Sequence, residues 1–329
     1  MLKTIPQSVL DQYDIGEVVS VKVNNTGLIH QTFEVQTKQG QYIMQSLHDL
    51  LSTKEIANDF FAVTEYLTER GFPVPKCVRS KDGLINVEED GVTWRMQTKL
   101  DGIIFSELPS AAHAKSAAAL FGKFHRELLD FDYEFQSKLI LHKTKEIYEE
   151  FVRVVNDKAN ADPRKEAEEE IKIITENLPE YFINDATPKR VIHGDPKISN
   201  VMFNENGEAI AIIDLDTCNR GFVGAELGDA IRSWCGGKED DPENTFDEDI
   251  LNAILEGYLA NTDEFLSVVE KDQFTKCGGT IMLELACRFL TDYFKDEYFG
   301  WDEAHYSSRR EHNLARCRGQ LAEFKSFIS

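Results

Sequence analysis

Apolar and polar residues alternate in three short runs near the start of the chain, EVVSVKV, HQTFEVQT and QYIMQSL. Alternation with a period of two is typical of half-buried strands, and the intervening KQG indicates a turn. We therefore predict an antiparallel meander over residues 17–47. The next stretch places Ile56 and Phe60 on one helical face and predicts a long helix, with Ser52 as its expected capping residue.

The rest of the chain is mainly helical in pattern, with one return to strands. Two more strand-like runs, GLINVEE and GVTWRMQTKL, complete the first hundred residues. Later, VMF and AIAII flank NENG, which is typical of a β-hairpin, and helical spacing resumes from residue 225. This order predicts an α+β fold with an antiparallel β-rich lobe over residues 1–100 and a larger, mainly helical lobe over residues 101–329.

Composition limits the possible partners. The 329 residues carry a formal net charge of −22, which disfavours nucleic acids and anionic membranes because both would be repelled. The six cysteines form no CxxC pair, so we expect free thiols in a reducing compartment and no zinc site. The N-terminus lacks the apolar run of a signal peptide, and no stretch approaches the roughly 20 apolar residues of a membrane span. A cytoplasmic protein is therefore expected.

Polar residues are concentrated in HGDPKISN, which lies between apolar strand-like runs and is followed by IDLDT at residues 213–217. Phosphoryl transfer requires a carboxylate that orients the attacking hydroxyl, and oxygen ligands that hold magnesium against the nucleotide phosphates. A loop followed by a hairpin can bring Asp195, Asn200 and Asp214 to one end of the sheet. The alternative is that these residues only satisfy a buried turn, and a lone motif does not exclude it.

HGDPKISN followed by IDLDT resembles the catalytic loop and metal motif of the aminoglycoside phosphotransferase and choline kinase superfamily, whose members are related to protein kinases. NTGLIHQTFEV, YIMQSL, ELGDAIR and the late stretch from RFLTDYFKDEYF through HNLARCR are similar to N-acetylhexosamine 1-kinases. The resemblance implies a two-lobed protein-kinase-like fold that uses ATP and Mg²⁺. It also implies that Asp195 is the catalytic base, that Asn200 and Asp214 are metal ligands, and that Asp229 braces the catalytic loop.

One nucleotide contact departs from the usual kinase pattern. Gln45 stands in the strand YIMQSL, where many kinases carry a lysine that pairs with the nucleotide phosphates. We hypothesise that Lys197, two residues after Asp195, shares with magnesium the charge that Gln45 cannot supply. The alternative is that Lys197 is a solvated loop lysine.

Three more nucleotide contacts are expected from their order along the chain. Gly27 lies in NNTGLIHQTF, where a nucleotide-covering loop belongs, although an ordinary hairpin has the same pattern. Met96 and Gln97 lie in RMQTKLDG, the expected hinge between the lobes, which presents backbone groups to adenine.

The resemblance also implies sugar contacts at Thr217, Arg288 and Tyr298. The residues by themselves leave alternatives, because Arg288 can pair with Asp292 one helical turn later and Tyr298 can pack in the core.

Two further substrate contacts are expected, and one carboxylate has no assigned role. His30, in the covering loop, can touch the substrate. Trp234 can line the pocket as a stacking surface, although a large aromatic residue on a helix is more often part of the core. Asp216 stays open between an outer ligand of magnesium, a contact to a substrate hydroxyl and a turn cap.

We therefore predict a kinase that transfers the terminal phosphate of ATP to the anomeric hydroxyl of N-acetylglucosamine or N-acetylgalactosamine. The alternative within enzymes is phosphorylation of another small hydroxyl substrate, such as an aminoglycoside, choline, ethanolamine or homoserine. The alternative outside enzymes is a pseudokinase that binds nucleotide without turnover. The sequence leaves open the sugar epimer, the preference for ATP over GTP and the oligomeric state.

Overall fold

The computed structural model of the protein describes residues 4–24 and 30–329. The chain divides into two compact units. The first contains the described residues up to Ile104 together with Glu127–Leu139 and Asn200–Asn219. The second contains Phe105–Arg126, Ile140–Ser199 and Arg220–Ser329. The predicted boundary after residue 100 lies near the end of the first stretch, but two later segments that were predicted to lie in the helical lobe group with the first unit instead.

The strands of the described residues are short. In chain order they are β1 (Val18–Asn24), β2 (Gln31–Thr37), β3 (Gln41–Ser46), β4 (Cys77–Val78), β5 (Asn86–Glu89), β6 (Val92–Thr98), β7 (Ile103–Ile104), β8 (Arg190–Ile192), β9 (Val201–Phe203), β10 (Ala209–Ile212) and β11 (Asn219–Gly221).

The helices are longest in the second unit. In chain order they are α1 (Gln7–Leu10), α2 (Lys54–Glu69), α3 (Ala111–Glu127), α4 (Thr144–Val155), α5 (Ala161–Glu166), α6 (Glu168–Asn177), α7 (Val223–Cys235), α8 (Glu248–Thr262), α9 (Val268–Gln273), α10 (Cys277–Lys295) and α11 (Arg309–Phe327). Short 3₁₀ turns lie at Asp49–Leu51, Lys158–Asn160, Leu178–Tyr181, Ile198–Asn200 and Leu215–Thr217.

The first unit is built on an antiparallel sheet with the strand order β1-β2-β3-β6-β4, and β5 also pairs with β6. Its first three strands are the predicted meander. Phe33, Met44 and Trp94 are fully buried, because alternate residues of these strands face the core. In the register of β3 with β6, Gln45 lies opposite Arg95.

Helix α2 begins one residue later than the sequence indicated. The hydroxyl of Thr53 accepts a hydrogen bond from the amide of Ile56 at 3.3 Å, so Thr53 is the capping residue and the prediction of Ser52 was wrong. The hydroxyl of Ser52 donates instead to the carbonyl of Asp49, at the end of the preceding 3₁₀ turn. The predicted helix face is unchanged, because Ile56 and Phe60 are both buried.

A buried carboxylate attaches residues 127–139 to the first unit. Asp59 on α2 accepts hydrogen bonds from the backbone amides of Gln136 and Ser137, both at 2.8 Å, and from the hydroxyl of Tyr133 at 2.9 Å. Asp59 is only 2% exposed, so its carboxylate depends on these donors to replace its hydration. This carboxylate explains why a segment between helices of the second unit groups with the first.

The predicted hairpin is present. β9 and β10 pair in antiparallel fashion, and β7 lies on the other edge of β9. In the NENG turn, the side-chain oxygen of Asn204 accepts hydrogen bonds from the amides of Asn206 and Glu208. Gly207 adopts a φ of 79°, a conformation that favours glycine.

The second unit is organised around α10, which packs against α4, α7 and α11. Nearly all of α10 is buried, as expected for a helix that is apolar on most sides. Gly228 allows α7 to approach closely, since a Cβ atom there would lie 2.3 Å from the carbonyl oxygen of Cys277. The short strands β8 and β11 form a two-stranded sheet beside these helices.

The fold-class prediction is confirmed, because one unit carries the antiparallel sheet and the larger unit is mainly helical. Within residues 4–24 and 30–329, every helix is too short or too polar to cross a lipid bilayer.

We expect Asp59→Ala to lower the free energy of unfolding by about 2–4 kcal/mol, because it leaves two backbone amides and a tyrosine hydroxyl without their acceptor. Urea denaturation measures this loss. Glu69→Ala on the exposed end of the same helix is the matched control and should change stability by less than about 0.5 kcal/mol. Equal effects of the two substitutions would contradict the role of Asp59.

Candidate active site

The loop that follows β8 carries the predicted catalytic residues. Gly194 adopts a φ of 86°, which favours glycine at this sharp turn. Asp195 and Lys197 come next, and the Nζ atom of Lys197 lies 2.6 Å from Oδ2 of Asp195. Their side chains are 23% and 33% exposed, so both are accessible to a ligand. Lys197 is therefore paired with the predicted base, and its role at the transferred phosphate stays a prediction.

A buried carboxylate on α7 holds this loop. Glu226 is 2% exposed, and its Oε2 accepts a hydrogen bond from the amide of Gly194 at 2.7 Å. Its Oε1 lies 2.8 Å from Nε2 of His125, whose Nδ1 lies 2.7 Å from the hydroxyl of Tyr258. A charged acceptor for a backbone amide gives a strong hydrogen bond in such an environment. The backbone of the loop is thereby fixed just before Asp195.

Asp229, the predicted brace, has other partners one turn further along α7. Its Oδ1 accepts from Arg232 at 2.7 Å, and its Oδ2 lies 3.8 Å from Nε2 of His142. Burial opposes ionisation, but the charges of Arg232 and His142 outweigh it and hold the pKa of Asp229 below its usual range. The carboxylate that holds the amide of Gly194 is that of Glu226, which the sequence analysis did not single out.

Trp234 is a buried residue that is hydrogen-bonded to the loop, and it is not a stacking surface for substrate. Its side chain is 3% exposed and packs against Phe121. The indole nitrogen donates a hydrogen bond to the carbonyl of Pro196 at 3.1 Å. The prediction of a substrate contact was therefore wrong, and the alternative of a core residue is confirmed.

The two predicted metal ligands lie next to each other in the first unit. The amide of Ile213, just before Asp214, donates to the carbonyl of Asn200 at 3.0 Å. Asn200 is buried, and Asp214 is half-buried with a left-handed φ of 66°. Magnesium prefers oxygen ligands, and this pair offers one neutral and one charged oxygen donor, so the residues fit such an ion.

The role of Asp216 is explained by a buried ion pair. Both carboxylate oxygens of Asp216 accept from the guanidinium of Arg95 at 2.5 Å, and both side chains are 1% exposed. Burial alone would keep Asp216 neutral, but the guanidinium outweighs burial and lowers the pKa of Asp216. His30, Asp214 and Asp216 do place ligand atoms within 4.8 Å of one another, yet the oxygens of Asp216 are already bound to a cation.

Arg95 also contacts the position that lacks the usual lysine. Its Nη2 donates to Oε1 of Gln45 at 3.1 Å, and Gln97 donates to the same oxygen at 2.7 Å. The side-chain oxygen of Gln45 thus accepts two hydrogen bonds, and both donors are protein side chains. The sequence analysis missed Arg95. The signal that could have revealed it is a charged residue within the apolar strand run TWRMQT.

His30 is enclosed by protein groups. The Nδ1 atom accepts from the backbone amide of His48 at 3.1 Å, which leaves the proton on Nε2, and Nε2 lies 3.5 Å from Asp216. The residue is 6% exposed. The prediction that His30 touches substrate is therefore not supported, and its contacts assign it to the Asp216 network. Gly27 lies outside the described residues.

Met96 and Gln97 lie inside the sheet. β6 pairs with β3 on one side and β4 on the other at these two positions, and Met96 is fully buried. The side chain of Gln97 is bound to Gln45. Backbone pairing continues past Gln97, because the amide of Thr98 donates to the carbonyl of Lys76 at 2.9 Å and the amide of Lys99 donates to the carbonyl of Gln41 at 3.0 Å. The adenine hinge stays a prediction.

Arg288 and Tyr298 line one cavity of about 510 Å³ in the second unit. The predicted alternative of an ion pair between Arg288 and Asp292 is wrong, because Asp292 accepts from Asn313 and from three backbone amides of residues 297–299. In the part of the chain that the structure describes, Arg288 has neither a hydrogen bond nor an ion pair, and its guanidinium lies 5.6 Å from the ring of Phe299. Tyr298 is 66% exposed, which excludes the core alternative.

The predicted site residues therefore fall into three groups. Asp195 and Lys197 share the loop of the second unit, and Asn200, Asp214 and Thr217 share the hairpin region of the first. Thr217 ends the 3₁₀ turn that follows Asp214. Arg288 and Tyr298 share the cavity.

Comparison with known proteins identifies the family. A model of the phosphotransferase enzyme family (APH) matches residues 20–264. The chain belongs to this family. A homoserine kinase from Zymomonas mobilis is 25% identical over 256 residues, which cover 76% of this chain and 75% of that protein.

Solved structures show the same fold at low sequence identity. An aminoglycoside phosphotransferase from Alicyclobacillus acidocaldarius superposes with a TM-score of 0.69 and 12% identity, over 100% of this chain and 96% of that one. A microcompartment-associated aminopropanol kinase superposes with a TM-score of 0.68 and 13% identity, over 98% and 96% of the two chains. The predicted superfamily is confirmed, and the chain is a small-molecule kinase of the phosphotransferase family.

His142 beside the cavity provides a pH-dependent test of the second unit. Burial disfavours its charged form, but Glu284 at 2.9 Å and Asp229 at 3.8 Å outweigh burial and raise the pKa of His142 to about 10. In the unfolded chain the pKa of a histidine is near 6.5. The stabilising charge is therefore fully present below pH 6.5 and is lost as the pH rises towards 10.

We expect the free energy of unfolding to fall by about 2–3 kcal/mol between pH 6.5 and 9 in excess of the fall in His142→Gln, which lacks this charge. Urea denaturation at a series of pH values measures the difference. His305→Gln removes an exposed histidine that is paired with Asp302, and this control should follow the wild-type curve. Parallel curves for His142→Gln and wild type would contradict the assignment.

Proposed function

We propose that this phosphotransferase moves the terminal phosphoryl group of ATP to a hydroxyl of a small acceptor, with Asp195 as the base. The observation that carries the proposal is the exposed Asp195–Lys197 pair, on a loop whose backbone is held by the buried Glu226. A carboxylate with a fixed backbone and an accessible side chain can orient an attacking hydroxyl and accept its proton. Lys197 places a positive charge beside that carboxylate, where the transferred phosphate would carry negative charge.

Asn200 and Asp214 would hold Mg²⁺ in this proposal, and the ion, when bound, neutralises charge on the nucleotide phosphates. The chain fixes these two ligands through the backbone hydrogen bond between Ile213 and Asn200. Thr217, in the turn after Asp214, stays a proposed acceptor contact.

We propose the anomeric hydroxyl of an N-acetylhexosamine as the acceptor, with the sugar 1-phosphate as product. Support comes from the resemblance to N-acetylhexosamine 1-kinases and from the cavity at Arg288 and Tyr298. Arg288 lacks a protein partner among the described residues, so its guanidinium is available to hydroxyl or carbonyl oxygens of a ligand. The charged side chains that line this cavity are of both signs: Lys143, Arg288 and Lys295 are accompanied by Glu146, Glu150, Asp292 and Glu297.

A second candidate acceptor is homoserine or a related amino alcohol. The observation that favours it is the similarity to proteins named homoserine kinase, at 25% identity over three quarters of the chain for the Zymomonas mobilis protein. Homoserine carries an ammonium and a carboxylate, so its binding should weaken with ionic strength, whereas that of a neutral acetylated sugar should not.

The function test measures ADP release with ATP and magnesium across N-acetylglucosamine, N-acetylgalactosamine, glucose, homoserine, choline and kanamycin. We expect turnover on the acetylated sugars that falls at least about a thousandfold in Asp195→Asn, since that substitution removes the base and perturbs the alignment of the hydroxyl. Turnover on homoserine alone would replace the sugar with the second candidate. ATP binding without ADP release from any acceptor would contradict the kinase.

We expect Arg288→Met to raise the KM of the acceptor about 10–100-fold, because a charge-assisted hydrogen bond to the ligand is lost. The KM of ATP should stay within about twofold, as expected for a residue that binds only the acceptor. Arg164→Met on the exposed surface of α5 is the control and should change neither constant. An unchanged acceptor KM in Arg288→Met would remove this cavity from the proposed site.

A further inference from the structure

Arg95 is a buried cation at the position where the strand lysine of kinases is missing. Gln45 occupies that position on β3, and Arg95 is its direct cross-strand partner on β6. Side chains of directly opposite residues in an antiparallel pair are neighbours on one face of the sheet, so one side chain can reach the region that the other occupies. The hydrogen bond of 3.1 Å between Arg95 and Gln45 shows that the guanidinium reaches the Gln45 side chain.

Arg95 also contacts the turn that follows Asp214, the proposed metal ligand. Two parallel hydrogen bonds of 2.5 Å join its guanidinium to both oxygens of Asp216. Asp216 lies two residues after Asp214 and inside the 3₁₀ turn Leu215–Thr217. The central carbon of the guanidinium, Cζ, lies 3.9 Å from the ring centre of Phe60 on α2. The cation is therefore fixed by a sheet, a helix and a turn of the same unit.

The turn after Asp214 requires such a restraint. Asp214 has a φ of 66° and a ψ of 56°, and a non-glycine residue in this region stores about 1–3 kcal/mol of backbone strain. Asp216 restrains the chain two residues downstream through a bidentate pair, which fixes orientation as well as distance. Rotation of this turn would move the carboxylate of Asp214, so the ion pair at Asp216 restrains the segment that carries it.

A purely structural role does not explain the pair well. Removing two charges from water is expensive, and a buried ion pair can often be replaced by apolar side chains of similar volume without loss of stability. The pair here lies beside a proposed metal ligand, because ligand atoms of Asp214 and Asp216 come within 4.8 Å of each other.

We propose that Arg95 is a positioning residue that takes the place of the missing strand lysine and, through Asp216, holds the carboxylate of Asp214 in the orientation that binds the metal–nucleotide complex. This inference rests on the proposed function, which supplies the roles of Asp214 and the nucleotide. Lys197 keeps its separate role at Asp195.

Three variants test this role. Arg95→Gln removes the cation. The double variant Arg95→Gln/Asp216→Asn removes the cation and the carboxylate, so that no unpaired charge stays buried. The double variant Gln45→Lys/Arg95→Gln moves the cation from β6 to β3. Arg79→Gln is the matched control, because Arg79 lies 4.1 Å from the ring of Phe61 on the same helix but is exposed and bonded to the carbonyl of Gly83.

The first measurement is calorimetric affinity for a non-hydrolysable ATP analogue over a magnesium titration, beside the free energy of unfolding of each variant. We expect Arg95→Gln to weaken magnesium-dependent binding about 10–100-fold, as is usual when a group that orients a metal ligand is removed. We expect Arg95→Gln/Asp216→Asn to recover stability but not affinity. Gln45→Lys/Arg95→Gln should regain at least about threefold of the affinity, and Arg79→Gln should bind as wild type does.

Recovery of full affinity in Arg95→Gln/Asp216→Asn would show that the pair only avoids a buried unpaired charge, and would overturn the proposal. Failure of Gln45→Lys/Arg95→Gln to regain affinity would overturn the claim that the arginine replaces the strand lysine. If wild type binds the analogue with magnesium but no acceptor releases ADP, the proposed kinase function fails while the binding data still decide the role of Arg95. If wild type binds no nucleotide, both are overturned.

Discussion

The carboxylate of Glu226 accepts a hydrogen bond from the amide of Gly194, and the position of the loop that carries Asp195 depends on this buried contact. A carboxylate that is removed from water must be paired, and here its partners are a backbone amide and His125, which Tyr258 holds in turn. Because the amide belongs to the residue before Asp195, the cost of burying Glu226 is offset by a contact that also fixes the loop.

Carboxylates that accept hydrogen bonds from backbone amides occur in both units. Asp59 accepts from two amides and thereby attaches a segment to the first unit, and Asp292, near the end of α10, accepts from three. Asp216 differs, because it is paired with a guanidinium instead of amides. The net charge of the protein is −22, but some of its carboxylates are buried and bind backbone amides or cationic side chains. The net charge by itself thus says little about the charge of the substrate.

Patterns with a short range predicted the fold well. The meander and the hairpin follow from alternation and turn residues, which depend on neighbours in the sequence. The cap at Thr53 instead of Ser52 was missed because adjacent hydroxyl residues offer the same local signal and only the backbone path separates them. Residues 127–139 and 200–219 group with the first unit and not with the predicted helical lobe, and for residues 127–139 the reason is Asp59, which contacts them across more than 70 positions of sequence.

The candidate site shows the same division. The motif around Asp195 and the strand before Asp214 were identifiable because residue types and spacing are local. The partners that hold them were not, since Glu226 and Arg95 are distant in sequence, and the charge of Arg95 within an apolar strand run indicates burial but not which residue it pairs with. Trp234 and His30 were predicted to touch substrate, yet each is turned towards a backbone or carboxylate group. Residue type indicated that these side chains needed polar partners, but only the structure identified those partners as protein.

Arg95 changes how the absence of a strand lysine should be interpreted. A neutral residue at that position gives some weight to a pseudokinase if each strand position is considered alone. Directly opposite residues on paired strands are neighbours, however, so a charged side chain on β6 can reach the region that the residue on β3 occupies. The guanidinium at this place, bound to the turn that carries Asp214, removes the reason for doubting activity that Gln45 had provided. The substrate question then rests on the cavity at Arg288, where a cation without a protein partner among the described residues lies among side chains of both charges.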